Sequence, residues 1–151
     1  MKIKTARNVL IFLLAFLGLG AAFGGAVLII SHDGKLFGMP LSMLKNSPFN
    51  SFLVPGLILF FVLGLVPVLL IFALLKKSIN KRAEQFNFFY DMHWSWTFTI
   101  YIAFTLIIWI QAEMYFLQAV HWSHSLYMFI ALAIIFIALL PQVRNLFKKE
   151  K

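Results

Sequence analysis

Four long apolar runs, separated by shorter polar segments, constrain the fold of this chain more than any other feature of its sequence. The runs cover approximately residues 8–30, 52–75, 95–120 and 125–143. A helix of about 20 apolar residues crosses a bilayer, so each run predicts one transmembrane helix. Because the runs take up most of the 151 residues, we predict one all-α domain over residues 1–151, an integral membrane four-helix bundle.

The charged residues favour a membrane protein over a nucleic-acid binder. They make up 12% of the chain, against about 25% in a soluble domain. Four crossings put eleven of the thirteen basic residues on one side of the membrane, namely Lys2, Lys4, Arg7, Lys76, Lys77, Lys81, Arg82, Arg144, Lys148, Lys149 and Lys151. The positive-inside rule then predicts that both termini are cytoplasmic. The net charge of +8 therefore indicates the lipid bilayer as a partner, and no nucleic acid.

The start of the chain allows two interpretations. The basic segment 1–7 and the apolar run after it resemble a signal peptide. The apolar run, however, continues to Ile30, well beyond the roughly 7–15 residues of a signal-peptide core. We expect an uncleaved first helix, and cleavage of a signal peptide is the alternative.

Glycine and proline positions predict where the helices pack closely. Gly20 and Gly24 are four residues apart, as are Ala21 and Gly25, and small residues at this spacing let a neighbouring helix backbone approach. We expect this face to pack inside the bundle, with contact to a membrane protein partner as the alternative. Pro67 lies inside the second run and predicts a kink, because it removes one backbone hydrogen bond.

Two connections carry further expectations. The segment 31–51 between the first two helices is amphipathic, and Pro40 suits the first turn of a short helix at residues 40–45. This segment is predicted to lie at the outer membrane surface, where it is able to cover the end of the bundle. In the segment before the third helix, Asp91 is a candidate helix cap.

The third run holds the only acidic residue inside any run, Glu113. Ionisable residues in a membrane helix usually face the bundle interior and mark a functional site. Other polar or aromatic residues lie around it, and we predict a ligand-binding site formed by Trp109, Gln111, Glu113, Tyr115, Gln118, His121 and His124. A basic partner of the Glu113 carboxylate has to come from another segment, and the candidates on the outer side are His32, Lys35, His121 and His124.

Several chemistries compete for this site. An apolar groove with a few polar groups suits a lipid or a quinone. His121 and His124 together with Glu113 are a weak pattern for zinc. A proton relay needs carboxylates at several depths, and the runs contain one. In the remaining alternative, Glu113 and Gln118 only form hydrogen bonds between helices and specify their packing.

We predict no metal and no cofactor. The chain has no cysteine, which excludes iron–sulfur clusters, thiolate zinc sites and cysteine nucleophiles. All four histidines lie near the ends of the runs, whereas haem b held between two helices needs facing histidines within the membrane. The functional hypothesis is a non-enzymatic protein that binds a lipid-like or small hydrophobic ligand, or a membrane partner. The alternatives are a membrane enzyme or redox accessory protein using Glu113 with the outer histidines, and a small transporter subunit.

Two motifs resemble a group of small bacterial membrane proteins with four spans and no established activity. The first is S-P-F-x5-P-G-x2-L, which begins at Ser47 and ends at Leu59, and the second is W-I-x-x-E, from Trp109 to Glu113. The architecture is also loosely similar to that of DoxX-like proteins. The resemblance implies four helices in a bacterial plasma (inner) membrane and carries no activity with it.

Overall fold

The computed structural model describes residues 2–149, and in this range the chain is all-helical, without a β-strand. Four helices are long and apolar enough to cross a membrane: Ile3–Ile30, Leu53–Lys76, Trp94–Leu117 and Trp122–Leu139. The predicted fold class is therefore confirmed at this level. Successive long helices run antiparallel, so Ile3 and Phe147 lie at the same end of the bundle, which we call the terminal end. We call the opposite end the cavity end.

The four long helices are accompanied by short helical elements. The first long helix is α1, Ile3–Ile30, and two 3₁₀ turns, Lys35–Phe37 and Leu41–Leu44, follow it. The second consists of α2, Leu53–Ile58, a π-helical stretch, Leu59–Leu65, and α3, Val66–Lys76. After the short α4, Lys81–Gln85, come α5, Trp94–Leu117, α6, Trp122–Leu139, and α7, Pro141–Phe147.

A π-helical stretch, Leu59–Leu65, lies just before Pro67, the position where the sequence predicts a kink. The backbone N–H of Val66 donates to the carbonyl of Phe61, five residues earlier instead of four. In a regular α-helix the Pro67 ring would clash with the carbonyl four residues before it. The helix changes to π geometry before the proline and continues after it as α3.

Helix α1 packs against the second long helix at nearly backbone-to-backbone distance. A Cβ atom on Gly25 would lie 2.5 Å from the backbone nitrogen of Phe60, and one on Gly64 would lie 2.9 Å from Cα of Ala22. Gly24 of α1 faces the side chain of Leu59 in the second long helix. Larger residues at Gly25 or Gly64 would therefore push the two helices apart. The fully buried Leu10, Leu14 and Leu17 make α1 part of the main core.

The fourth long helix is shorter than the sequence predicts. It ends at Leu139, because Leu140 adopts an extended conformation (φ −55°, ψ 134°) and Pro141 begins α7. The last carbonyls of an ending helix lack partners within the helix. The indole N–H of the buried Trp96 donates to one of them, the Ala138 carbonyl, at 2.8 Å, and so joins α5 to α6 at the terminal end.

The N-terminus of α5 is capped by His93, so the expectation for Asp91 was wrong. Nδ1 of His93 accepts a hydrogen bond from the Ser95 N–H at 3.3 Å. Asp91 lies too early, because its carbonyl accepts a hydrogen bond from the Lys149 N–H and the His93 N–H donates to the Phe147 carbonyl. These backbone bonds attach the end of the described chain to the start of α5.

Large apolar side chains cover the outside of the bundle. Each long helix has one or more that are over half exposed, for example Phe12, Leu69, Ile108 and Phe136. Soluble monomers rarely expose contiguous apolar surface on this scale. The bundle is therefore compatible with a multi-pass membrane protein whose outer faces contact lipid.

Candidate ligand-binding site

The structure brings four of the seven predicted site residues together at the cavity end. Trp109 and Glu113 lie one turn apart on α5, and His121 and His124 lie at the start of α6. The tight turn between α5 and α6 allows this, because Gln118 adopts the left-handed conformation (φ +50°) that reverses the chain directly after α5. All four residues line one cavity.

Glu113 lies next to His124 without a hydrogen bond between them. Nε2 of His124 is 3.9 Å from Oε2 of Glu113, beyond the distance of a hydrogen bond. Among the residues described, His124 is the only basic side chain within 4.0 Å of this carboxylate. The indole N–H of Trp109 is directed at the same carboxyl group. The polar neighbours of Glu113 are therefore the His124 imidazole and the Trp109 indole, and no described lysine or arginine lies within 4.0 Å of it.

His124 is held in one orientation and in one protonation state. Its side chain is 8% exposed, and its Nδ1 accepts the backbone N–H of His121 at 3.1 Å. A ring nitrogen that accepts a hydrogen bond carries no proton, so the ring is neutral with its proton on Nε2. That N–H points towards the Glu113 carboxylate, and His124 does not balance the negative charge.

The larger cavity has a volume of about 870 Å³ and lies among all four long helices. Its walls are mostly apolar, with polar atoms from Glu113, Ser123, His124 and Tyr127. Phe23 of α1 and Trp122 of α6 line it and are largely exposed, so they form its rim. A large apolar space with a few convergent polar groups is typical of a small-molecule site.

A smaller cavity of about 230 Å³ adjoins the other side of Glu113. The connection 31–52 covers it, with Met39, Leu44 and Phe49 in its lining. The Phe49 ring packs edge-on against Phe116 of α5, with ring centroids 6.2 Å apart. The 3₁₀ turn Leu41–Leu44 occupies the position where the sequence predicts a short helix. Glu113, Trp109 and Leu117 line both cavities.

The connection 31–52 is shaped by its own polar contacts, and these remove Lys35 from the site. Lys35 Nζ pairs with Asp33 Oδ2 at 2.8 Å, and Ser31 Oγ donates to Asp33 Oδ1 at 2.7 Å. Hydrogen bonds from Lys35 and Ser31 hold the pKa of Asp33 well below its usual range. Lys35, one of the predicted neighbours of Glu113, is therefore engaged elsewhere.

The other three predicted site residues lie away from both cavities. Gln111 and Tyr115 are exposed on the outside of α5, and the exposed Gln118 donates from Nε2 to the Tyr115 carbonyl. Conversely, Tyr127 was not predicted from the sequence, and its hydroxyl faces Gly20 of α1. Tyr127 follows His124 by three residues, and this spacing puts both on one face of a helix. That spacing is the signal that would have found it.

The described residues do not form a metal site. No group of three or more histidine, aspartate or glutamate side chains among residues 2–149 is arranged to hold a metal ion. The zinc interpretation of Glu113, His121 and His124 is therefore not supported. The same side chains remain available as hydrogen-bonding or charged groups in the cavity.

A second polar cluster lies at the terminal end and differs from the first in being fully bonded. Glu84 accepts from the Asn87 amide at 3.0 Å, from the Lys149 ammonium at 2.7 Å and from the Trp94 N–H at 3.3 Å. Burial acts to raise the pKa of Glu84, but these three donors outweigh it and lower the pKa below its ordinary value. Asn87, in turn, binds the Met92 carbonyl and the Thr97 hydroxyl.

No protein-family model matches this chain, and no curated protein or solved structure is similar to it. The resemblance to small bacterial four-span proteins, carried by the motifs that end at Leu59 and Glu113, therefore stays a prediction.

Proposed function

We propose that this chain is a multi-pass membrane protein that binds a lipid-like or small hydrophobic ligand in the larger cavity and has no enzymatic activity of its own. The observation that carries this proposal is the cavity of about 870 Å³, in which Glu113 and His124 are placed among apolar side chains. Such a site fixes the polar end of a ligand and buries the rest. The adjoining connection 31–52 supports it by closing the same end of the bundle.

We further propose that both termini are cytoplasmic and that the membrane is a bacterial plasma membrane. The basic residues that flank the long helices at the terminal end support this orientation. The cavity then lies in the outer half of the bilayer. Because the chain has no cysteine, single cysteines report orientation cleanly. In intact cells, a membrane-impermeant maleimide should label Lys45→Cys and leave Lys148→Cys unlabelled, and the reverse pattern would overturn the orientation.

A ligand is favoured over a partner protein on the glycine face of α1. Gly25 is covered by the second long helix of the same chain, and Gly20 by Tyr127 of α6. Those positions are therefore used within the bundle. The larger cavity, by contrast, is bounded by the exposed Phe23 and Trp122, between which an apolar molecule has a path from the lipid.

Photolabelling tests the binding site directly. The native protein is incorporated into phosphatidylcholine nanodiscs with a diazirine-bearing hexadecanol, irradiated, digested and mapped by mass spectrometry. The proposal expects labels on cavity residues such as Trp109 and Tyr127, in addition to the lipid-facing Phe136. Labels confined to lipid-facing residues would overturn the proposal.

A matched pair of variants separates the cavity from the surrounding bilayer. Ser123→Trp places an indole in the cavity, because Ser123 lines it, whereas Ser125 is exposed outside it and Ser125→Trp is the control. Ser123→Trp should remove most of the labelling at Trp109 and Tyr127 without changing that at Phe136. Equal labelling of both variants at the cavity positions would contradict a bound ligand there.

A further inference from the structure

We infer that the polar end of the ligand is a cation, such as a quaternary ammonium, a phosphonium or a protonated amine, and that Glu113 is its counter-ion. This inference rests on the proposed function and names the chemical class of the ligand. It follows from the charges that face the cavity and from the aromatic side chains around them.

Among residues 2–149, no positively charged side chain lies close enough to balance an ionised Glu113. The neutral His124 ring and the Trp109 indole supply N–H groups but no positive charge. None of the described residues that line either cavity is a lysine or an arginine. An unpaired carboxylate is costly in an apolar environment, so a ligand that brings a positive charge gains more here than a neutral one, and an anion is repelled.

The nearest lysines do not fill this role. Lys35 is paired with Asp33, and its side chain is 86% exposed. Lys45 is exposed on the connection 31–52 and lines neither cavity. His121 also lines the larger cavity but forms no ion pair with Glu113 within 4.0 Å. Among the described residues, then, none supplies the positive charge that would complete the site.

The aromatic lining supports the same class of ligand. Trp109, Trp122 and Tyr127 come from two helices and line the larger cavity together with Glu113. Faces of tryptophan and tyrosine rings attract cations within about 6 Å, and quaternary ammonium groups are recognised in this way. A large organic cation whose charge is spread over alkyl or aryl groups therefore matches both the apolar walls and the carboxylate.

Two probes of nearly equal shape test the charge. Methyltriphenylphosphonium is a cation, and triphenylphosphine oxide is neutral with the same three phenyl rings. Each competes with the diazirine-bearing hexadecanol for the native protein in phosphatidylcholine nanodiscs, and protection of Trp109 and Tyr127 is measured. We expect the cation to protect at a concentration about tenfold lower than the oxide, the effect of one strong charge or cation–π contact.

The variant Glu113→Gln assigns that difference to the carboxylate. It should remove the advantage of the cation, so that the two probes protect at similar concentrations, and photolabelling by the alcohol alone reports whether the cavity is intact. Equal protection by both probes in the native protein, or protection by neither, would show that the ligand is not selected for positive charge. Neither result would contradict the proposed binding site. Absence of cavity labelling by the alcohol itself would instead overturn the proposed function. If Glu113→Gln does not fold, the comparison of the two probes on the native protein still decides the inference.

Discussion

Glu84 and Glu113 lie at opposite ends of the bundle and differ in their hydrogen-bond and ion-pair partners. Glu84 has the Lys149 ammonium at 2.7 Å and further donors from Asn87 and Trp94. Glu113 has a neutral imidazole at 3.9 Å and an indole, and it lies between two cavities. The side chains of the two glutamates are similarly exposed, at 28% and 29%, and they differ in the hydrogen-bond and ion-pair partners that surround them.

We propose that this difference distinguishes a glutamate that stabilises the fold from one that binds a ligand. Polar groups that are fully bonded and closely packed stabilise a fold, as Glu84 and Asn87 do at the terminal end. A carboxylate that lacks such partners and faces open space has not been used by the fold, and that is the expected arrangement of a binding residue. The predictions below test this contrast, from the largest expected effect on stability to the smallest.

The largest effect is expected for Asn87→Ala. Asn87 is 2% exposed, and its loss leaves the Thr97 hydroxyl and the Met92 carbonyl without their partner. Unsatisfied buried groups cost about 1–3 kcal/mol each, so we expect a loss of about 3 kcal/mol in the free energy of unfolding in detergent. The control is Asn46→Ala at the exposed Asn46 of the cavity end, and an equal loss in both variants would contradict the assignment.

A smaller loss is expected for Trp96→Phe, which removes the hydrogen bond to the Ala138 carbonyl and part of a fully packed side chain. We expect a decrease of about 2 kcal/mol in the free energy of unfolding. The matching change at the cavity end, Trp122→Phe, affects a residue that is 78% exposed and should alter stability by less than about 0.5 kcal/mol. If Trp122→Phe proved the more damaging of the two, the terminal end would not be the more tightly packed region.

Glu84→Gln should lower stability by about 1 kcal/mol near neutral pH, because it weakens charge-assisted hydrogen bonds. The contribution of Glu84 depends on pH. Its pKa is lowered in the folded protein from an ordinary value of 4.5, so the stabilisation is complete above that value and is lost as the pH falls through the lower folded pKa. Unfolding curves of both proteins from neutral to acidic pH should therefore converge, and a constant difference would argue against the ionised form as the stabilising one.

The smallest effect on stability is expected for Glu113→Gln, within about 0.5 kcal/mol of the native protein. Glu113 has no hydrogen-bonded cation to lose, and glutamine keeps its size. The same unfolding assay as for Glu84→Gln makes the two a matched pair. A loss as large as that of Glu84→Gln would make Glu113 a packing residue, in agreement with the alternative considered from the sequence.

The long helices could be predicted because hydrophobicity over about 20 residues is a local property of the chain. Their ends were less predictable. The fourth helix was expected to continue to residue 143, but it ends at Leu139, where Trp96 from another helix binds a free carbonyl. Likewise, His93 replaced Asp91 as the cap of α5 because the C-terminal segment pairs with the backbone before that helix. The cap depends on contacts between segments that are distant in the chain, whereas the end at Leu139 also follows from the local effect of Pro141 on the residue before it.

In the candidate site, too, some features could be predicted from the sequence and others could not. Glu113 could be identified from the sequence as the one acidic residue within an apolar run, and Trp109 as its neighbour one turn away. The direction of the surrounding side chains could not, since the third run is apolar on every side and gives no periodicity by which to orient the helix. Only the packed bundle turned Gln111 and Tyr115 outwards.

The sequence by itself determined that this chain forms four long apolar helices, with basic residues at one end and one carboxylate within them, because hydrophobic length and charge are read residue by residue. Tertiary structure decided which groups meet. The tight turn after Gln118 brings His124 to Glu113, the α1–α2 packing at Gly25 sets the helix spacing, and the connection 31–52 covers the smaller cavity. Among the residues that the structure describes, the absence of a lysine or arginine close to Glu113 is likewise a property of three-dimensional distance, which no local pattern encodes.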